Sequence, residues 1–203
     1  MAKISTLEEL RKLYPAASGR AVTKVIDHID DHCRLLISHS PYLLMSSQNA
    51  AGQADITPKG DAPGFVQVVD DTRISIPDRP GNNRLDTMEN ILENPKVGLI
   101  FLIPGWPETL RINGHAEIRD DADLRAAAAV KGREPTSCLL VRVEEVFIHC
   151  AKSIMRAKLW DPESRITAGT LPSAGQILRD HAGGSGVIET DEEKTARYQK
   201  QLY

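Results

Sequence analysis

Residues 64–76 read Gly64-Phe-Val-Gln-Val-Val-Asp-Asp-Thr-Arg-Ile-Ser-Ile76. Apolar and polar side chains alternate on both sides of Asp70-Asp71, a pattern typical of two strands joined by a tight turn. Alternation places every second side chain on the same face of a strand, so one face can be buried while the other meets solvent. The segment therefore predicts a pair of antiparallel strands.

Further strands are predicted on both sides of this pair. They cover residues 42–48, 53–57, 97–103, 109–119 and 137–149, and short turns such as 49–52 and 104–107 join them. Gly114 interrupts one long strand, which predicts a bulge. Only two short helices, over residues 84–93 and 121–130, are predicted among the strands. About seven strands with short turns favour an antiparallel sheet that closes into a barrel over a parallel α/β fold.

Helices are predicted before and after the strands. The capping box Thr6-Leu7-Glu8-Glu9 begins a helix that ends near residue 14. Apolar residues at three- and four-residue spacing over residues 22–37 predict one continuous helix, which Pro41 ends. Further helical segments are predicted over residues 152–159, 173–181 and 190–203. We therefore expect an N-terminal helical extension (1–41), a barrel domain (42–150) and a C-terminal helical segment with a tail (151–203).

The composition excludes several functional classes. The formal net charge is −3, so no broad positive field attracts nucleic acid or an anionic membrane surface. Cys33, Cys138 and Cys150 are far apart, which favours a reducing cytoplasm over secretion and excludes a four-cysteine zinc site. No apolar run approaches the roughly 18 residues that a membrane helix needs. We expect a cytoplasmic protein that binds neither nucleic acid nor membrane.

His28 and His32 raise the question of a metal site, because four-residue spacing would place both on one helix face. The zinc-peptidase motif with this spacing needs a glutamate directly after the first histidine as general base. Ile29 occupies that position. No metal site is therefore predicted.

Residues 77–84, Pro77-Asp-Arg-Pro-Gly-Asn-Asn-Arg84, lie between a predicted strand and a predicted helix. A tight loop before a helix can aim several backbone N–H groups into one concavity, and the helix start adds partial positive charge. Arg79 and Arg84 add guanidinium groups that match the geometry of a phosphate. The loop therefore predicts a phosphate cradle, and the alternative is a surface turn with solvated arginines.

Two other polar segments are candidate ligand sites. Thr57 and Lys59 lie in a predicted loop, residues 55–61, where a hydroxyl and an ammonium group could meet an anionic or carbonyl-rich ligand. The alternative is a hairpin with an exposed lysine. Residues 147–152 end the last predicted strand at the mouth of the barrel, where ligands commonly bind. The alternative is that this end of the strand is simply exposed to solvent and binds no ligand.

Taken in order, these segments resemble the pyridoxamine 5'-phosphate oxidase-related, FMN-binding split-barrel family, and a bacterial subgroup of it in particular. The resemblance extends from residue 7 to about residue 162. It is carried by Leu36-Ile-Ser-His-Ser-Pro-Tyr-Leu43, Ala54-Asp-Ile-Thr-Pro-Lys-Gly-Asp-Ala-Pro-Gly-Phe65, Ile76-Pro-Asp-Arg-Pro-Gly-Asn-Asn-Arg-Leu-Asp86, Asn90-Ile-Leu-Glu-Asn-Pro95, Glu108-Thr-Leu-Arg-Ile-Asn-Gly114 and Val146-Phe-Ile-His-Cys-Ala-Lys152.

The resemblance implies a mainly β fold, an antiparallel split β-barrel with N-terminal and C-terminal helices. It also implies a homodimer that holds two FMN molecules in clefts between its subunits. In the family, a basic pair before the helix that ends in Asn-Pro grips the FMN phosphate. Asn83 and Arg84 hold these positions, and only Arg84 is basic. Lys59 matches the family's lysine at the end of an early strand pair, and Thr109 and Arg111 match the strand near the flavin.

Four further residues complete the predicted cofactor site. Cys150 and Lys152 belong to the subgroup's own pattern, and Thr57 and Arg79 come from the two candidate loops. The arginine and histidine pattern with which the true oxidase binds its substrate's phosphate near the C terminus is missing. We therefore do not expect pyridoxamine 5'-phosphate oxidation.

The function expected from these observations is a flavin-dependent oxidoreductase that acts on a small molecule or electron donor, with FMN as cofactor. Two alternatives remain open at this point. One is a flavin-binding or sensing module without turnover, and the other is a binder of haem or deazaflavin on the same barrel. Trp160 could cover a flavin edge or pack on the dimer partner, and the sequence does not distinguish these roles.

Overall fold

A computed structural model describes residues 3–185 and 188–202 of the chain. Its framework is a sheet of seven strands: β1 (Tyr42–Gln48), β2 (Ala54–Gly60), β3 (Gln67–Asp70), β4 (Arg73–Pro77), β5 (Lys96–Leu102), β6 (Thr109–Arg119) and β7 (Cys138–His149). The order across the sheet is β2-β1-β5-β6-β7-β4-β3, and every pairing is antiparallel. The predicted fold class is confirmed.

The sheet bends around one apolar core. Leu43 in β1 and Ile76 in β4 belong to the same buried cluster, although β5, β6 and β7 lie between their strands in the sheet. A flat sheet would hold these side chains roughly 20 Å apart, because neighbouring strands are about 4.8 Å apart. β2 and β3 remain the two edge strands. The result is a barrel that is open, or split, between β2 and β3.

Strand β6, which pairs with β7, shows why apolar and polar residues alternate along the sequence. Leu110 and Ile112 are buried in the core, whereas Arg111 between them lies on the opposite face. We call that opposite side the outer face of the sheet. The register of β6 and β7 shifts between Asn113 and Gly114, which confirms the predicted bulge. A Cβ atom at Gly114 would lie 2.1 Å from the carbonyl oxygen of Arg142, so the close approach of the backbones requires glycine.

Eight α-helices are described around the sheet: α1 (Leu7–Leu13), α2 (Arg20–Thr23), α3 (Asp31–His39), α4 (Asp86–Glu93), α5 (Ala122–Ala127), α6 (Lys152–Ala157), α7 (Ala174–His181) and α8 (Asp191–Gln201). The predicted capping box begins α1, because Thr6 accepts from the amide of Glu9 and Glu9 accepts from the amide of Thr6. In the described part of the chain, no helix is long and apolar enough to cross a bilayer.

The single helix predicted over residues 22–37 is wrong. The chain leaves the helical conformation after α2, because Ile26 forms two backbone hydrogen bonds with Val146 in β7, of 3.0 and 2.7 Å. A new helix, α3, then begins where Asp30 accepts a hydrogen bond from the amide of Cys33. Pairing with a strand edge and a second N-cap therefore outweigh the helical periodicity, and Val22 is exposed.

Candidate functional site

The loop that joins β4 to α4 lies against one face of β2. At its start, Asp78 pairs with Lys59, with 3.1 Å between Oδ1 and Nζ. Just after its end, Thr87 donates a hydrogen bond of 2.9 Å from Oγ1 to Oδ2 of Asp55. Asp55 and Lys59 point to the same face of β2 because alternate residues of a strand share a face. Thr57 lies between them on that face, so the loop and Thr57 are neighbours.

The loop predicted over residues 55–61 is wrong for most of its length, because β2 extends to Gly60. Thr57 lies opposite Met45 and Lys59 opposite Leu43, and both β1 residues are buried. Thr57 and Lys59 are themselves partly buried and face the core side of the sheet. Pro58 is compatible with a strand here because β2 is an edge strand, where a missing N–H breaks no ladder.

Arg84 and Asn83 lie immediately before α4. The N-cap residue, Leu85, forms no side-chain cap, so the first N–H groups of α4 remain available to an anion. The Arg84 side chain is 76% exposed, and its Nε lies 2.5 Å from Oδ2 of Asp86. That hydrogen bond raises the pKa of the Arg84 guanidinium. Asn83 has φ of 57°, a left-handed conformation that asparagine tolerates better than most residues.

Arg79, by contrast, has protein partners at two of its nitrogens. Its Nε lies 2.6 Å from Oδ2 of Asp61, and its Nη1 donates to the carbonyl oxygen of Ala128 over 2.9 Å. The Arg79 side chain is 18% exposed and borders a recess of about 170 Å³ that Phe65 and Gln67 also line. Small-molecule sites usually exceed roughly 300 Å³. The recess alone is too small for a flavin.

A second group of predicted cofactor residues lies on the outer face. Thr109 begins β6 opposite His149, and Arg111 lies opposite Phe147. The Arg111 guanidinium carbon is 5.4 Å from the centroid of the Phe147 ring, within the range of a cation–π contact. The neighbouring β6 residue Leu110 is buried on the core side. Thr109 and Arg111 are therefore on the opposite face of the sheet from Thr57 and Lys59.

Lys24 lies beside this second group, although no motif in the sequence indicates it. Its Nζ lies 5.3 Å from the centroid of the Phe147 ring and donates a 2.8 Å hydrogen bond to the carbonyl oxygen of Ile148. The contact joins residues 124 positions apart in the chain. It exists because the bridge between Ile26 and Val146 holds this segment along the edge of β7.

Cys150 and Lys152 follow β7 at the same end of the sheet. Cys150 is exposed, and Lys152 is the first residue of α6 and is exposed as well. The other two thiols are buried, and burial raises the pKa of Cys33 to about 12 and also raises that of Cys138. Cys150 is thus the thiol available to a ligand or reagent.

Trp160 connects the C-terminal segment to the turn between β5 and β6. Its indole Nε1 donates a hydrogen bond of 2.9 Å to the carbonyl oxygen of Trp106. Within this chain the indole therefore packs against that turn, which lies next to the start of β6 and Thr109. The contact fixes residues after α6 near the second group of candidate residues.

The outer face carries a row of neighbours that crosses five strands. In this row lie Pro58, Leu44, Ile100, Arg111 and Phe147, each paired with the next. The β2–β1–β5 part is apolar and the β6–β7 part carries the cation and the ring. Adjacent to the row, Ile56 is 67% exposed and Tyr42 39%, and Ile100 within it is also 39% exposed. Exposed apolar side chains grouped in this way are typical of an interaction surface.

Residues 29–150 match the sequence profile of the family described as pyridoxamine 5'-phosphate oxidase. The match includes β1 to β7. It also includes all the predicted cofactor residues except Lys152, and it does not include Lys24. It covers more than half of the 203 residues. The chain belongs to the pyridoxamine 5'-phosphate oxidase family.

Solved structures of similar proteins include three that cover much the same part of the chain. HupZ of Group A Streptococcus is 21% identical over 59% of this chain and 93% of its own, with a TM-score of 0.49. An FMN-binding protein from Syntrophomonas wolfei is 12% identical over 58% and 83%, with a TM-score of 0.45. An FAD-binding protein from Mesorhizobium loti is 15% identical over 62% and 99%, with a TM-score of 0.41. No curated protein matches the chain.

Proposed function

We propose that this protein is a homodimer that binds FMN non-covalently in clefts between its subunits and acts as an oxidoreductase on a small molecule. Membership of the pyridoxamine 5'-phosphate oxidase family supports a flavin site on the barrel. In this proposal residues 42–150 form the flavin-binding domain, and the helical segments 1–41 and 151–203 extend it. The three free thiols agree with a cytoplasmic location.

The observation that carries the proposal is the position of the two groups of candidate residues. Thr57 and Lys59 face the core side at edge strand β2, whereas Thr109 and Arg111 lie three strands away on the outer face. Three strand spacings are roughly 14 Å. One flavin can contact both groups only if a second copy of the chain supplies one of them. A two-fold dimer would create two such clefts.

The phosphate end of the cofactor fits the start of α4. The uncapped N–H groups of this helix and the exposed guanidinium of Arg84 provide donors and positive charge for a dianion. The Arg84–Asp86 contact is a solvent-exposed pair, and such pairs contribute little, so a phosphate can replace it at small cost. Lys59, held by Asp78, adds a second positive charge beside the same loop.

The ring end of the cofactor fits the second group. When bound, FMN supplies hydride or single-electron transfer, and the protein supplies binding, orientation and charge. Arg111 and Lys152 would place positive charge beside the ring's carbonyl edge, where it stabilises a reduced, more electron-rich ring. Thr109 would donate a hydrogen bond, and exposed Cys150 would lie next to the ligand. No general acid or base is required of these residues.

The apolar part of the outer face supports the dimer. Ile56, Ile100 and Tyr42 remain 67%, 39% and 39% exposed in a single chain. Burial stabilises apolar surface by about 25 cal/mol per Å². A second subunit packed on this face would remove these side chains from water and would also shield the flavin.

The test is the spectrum and mass of the purified protein. We expect flavin absorption bands, FMN release on denaturation, and sedimentation as a dimer, with NADH or NADPH reducing the flavin under anaerobic conditions. Bound flavin that no donor reduces would favour the binding or sensing module, a Soret band would favour haem, and a bound deazaflavin would favour that cofactor. A colourless protein that does not bind added FMN contradicts the proposal.

A further inference from the structure

Two cations contact the same aromatic ring on the outer face. The Lys24 ammonium and the Arg111 guanidinium lie 5.3 and 5.4 Å from the Phe147 centroid. Within residues 3–185 and 188–202, neither cation forms an ion pair with a carboxylate. Eleven of the other lysine and arginine side chains do take part in such pairs.

The backbone holds these cations in place. The Lys24 ammonium is bound to the carbonyl oxygen of Ile148, and the Lys24 segment is joined to β7 through Ile26. Arg111 lies directly opposite Phe147 across the β6–β7 pair. The nearest acidic residue along this face of β7, Glu145, accepts a 2.8 Å hydrogen bond from the side-chain amide of Asn113 instead. Each cation therefore has a position set by its backbone contacts, and neither has a carboxylate partner in the described part of the chain.

We propose that Lys24 and Arg111 bind the oxyanion, a carboxylate or a phosphate, of the small molecule that exchanges electrons with the flavin. The proposal rests on the proposed function, because it assigns the substrate class of the same cleft. Two like charges beside one ring repel each other, and the ring's negative face offsets only part of that repulsion. An oxyanion bound beside these cations supplies the missing opposite charge and receives charge-assisted hydrogen bonds.

Lys24 is suited to the substrate rather than to the flavin because of its position. It approaches from beyond the edge of β7, on the far side of Phe147 from the apolar strands β1 and β5. Arg111 is one strand nearer to the centre of the outer face and can serve both ligands, since a guanidinium has five N–H donors. Lys24 therefore acts as a binding residue for an anionic substrate.

The experiment uses calorimetric titration of the whole protein with three probes, in the flavin-free and the FMN-saturated forms. Benzoate represents a carboxylate, phenyl phosphate represents a phosphate ester, and benzamide is the neutral control. The variants are Lys24→Gln, Lys24→Arg and Lys96→Gln. Lys96 is an exposed lysine at the other end of the outer face, opposite His115, and serves as the matched control.

We expect benzoate or phenyl phosphate to bind at least tenfold more tightly than benzamide, and Lys24→Gln to remove most of that preference. Lys24→Arg should retain the preference and Lys96→Gln should not change it, and the oxyanion affinity should fall as salt is added. Equal binding of all three probes, or equal losses in Lys24→Gln and Lys96→Gln, overturns the inference. FMN binding is measured separately, so a protein that binds FMN but not the oxyanions refutes this inference and leaves the proposed function intact.

Discussion

Lys59 and Asp78 form an ion pair of 3.1 Å in which both side chains are largely buried, 18% and 24% exposed. The pair joins edge strand β2 to the loop after β4, across the side where the barrel has no strand pairing. The same contact thus closes the open side of the fold and holds the proposed phosphate loop beside Thr57. The pair therefore links the stability of the fold to the proposed cofactor site.

Substituting Asp78 and substituting Lys59 both break this ion pair, but the two changes should differ in their effect on FMN binding. Asp78→Asn and Lys59→Met should each lower the free energy of unfolding by about 1–3 kcal/mol, because each leaves a poorly solvated partner. Only Lys59→Met should also weaken FMN binding, since it removes the positive charge. Urea unfolding without flavin and fluorescence titration with FMN measure the two effects. Lys12→Met, at an exposed pair with Glu8, is the control and should change stability by less than about 0.5 kcal/mol.

Arg84→Ala tests the phosphate end directly. The variant should weaken FMN binding by about 1.5–3 kcal/mol, the usual cost of losing a charge-assisted hydrogen bond. The stability of the flavin-free protein should hardly change, because the Arg84–Asp86 pair is exposed. Arg73→Ala removes a comparable exposed arginine, paired with Asp70, and should leave FMN affinity unchanged. Unchanged affinity in folded Arg84→Ala would remove Arg84 from the site.

Ile56→Glu tests whether the outer face forms the dimer interface. A charge on a side chain that is 67% exposed costs little in one chain but is costly in a buried interface. We expect sedimentation to show a monomer and FMN to dissociate more readily. Leu35→Glu introduces the same charge at a residue 57% exposed on α3 and should leave the dimer intact. A monomeric wild type that retains FMN would contradict the shared cleft.

Gly114→Ala tests the bulge between β6 and β7. The new Cβ would meet the Arg142 carbonyl at 2.1 Å, so both backbones must move. Overpacking of this kind typically costs about 1–3 kcal/mol, and we expect a loss of at least that size in urea unfolding. Gly81→Ala is the control, because its Cβ would meet only the Arg79 carbonyl oxygen at 3.9 Å. Equal stability of the two variants would show that the bulge is not tightly packed.

Local patterns were sufficient to predict most of the sheet. Alternation in residues 64–76 and the interruption at Gly114 depend on neighbours in the chain, and both predictions are confirmed. The helix prediction over residues 22–37 is wrong because Ile26 pairs with Val146, which is far away in the sequence. The same long-range contact places Lys24 beside Phe147, which no motif in the sequence indicates. The cofactor roles of Thr57, Arg79 and the other predicted site residues stay predictions.

The three thiols provide a final prediction, about accessibility and pH. A disulfide reagent at pH 8 should react rapidly with Cys150 alone, since Cys33 and Cys138 are buried, and Cys150→Ser should abolish this fast reaction. Added FMN should slow the reaction of Cys150 if that residue borders the cofactor, whereas an unchanged rate would remove it from the proposed site.

Denaturant should expose Cys33 and Cys138, and the burial of Cys33 should also make the stability of the fold depend on pH. Burial raises the pKa of Cys33 to about 12, above the ordinary thiol value of about 8.5. The folded state therefore keeps this thiol neutral while the unfolded state ionises it, so the stability contribution is complete below about pH 8.5 and declines as the pH rises towards 12. Cys33→Ala should have a flatter melting temperature profile between about pH 8.5 and pH 10.5 than the wild type. Identical slopes in the two proteins would show that Cys33 ionises as readily in the folded as in the unfolded chain.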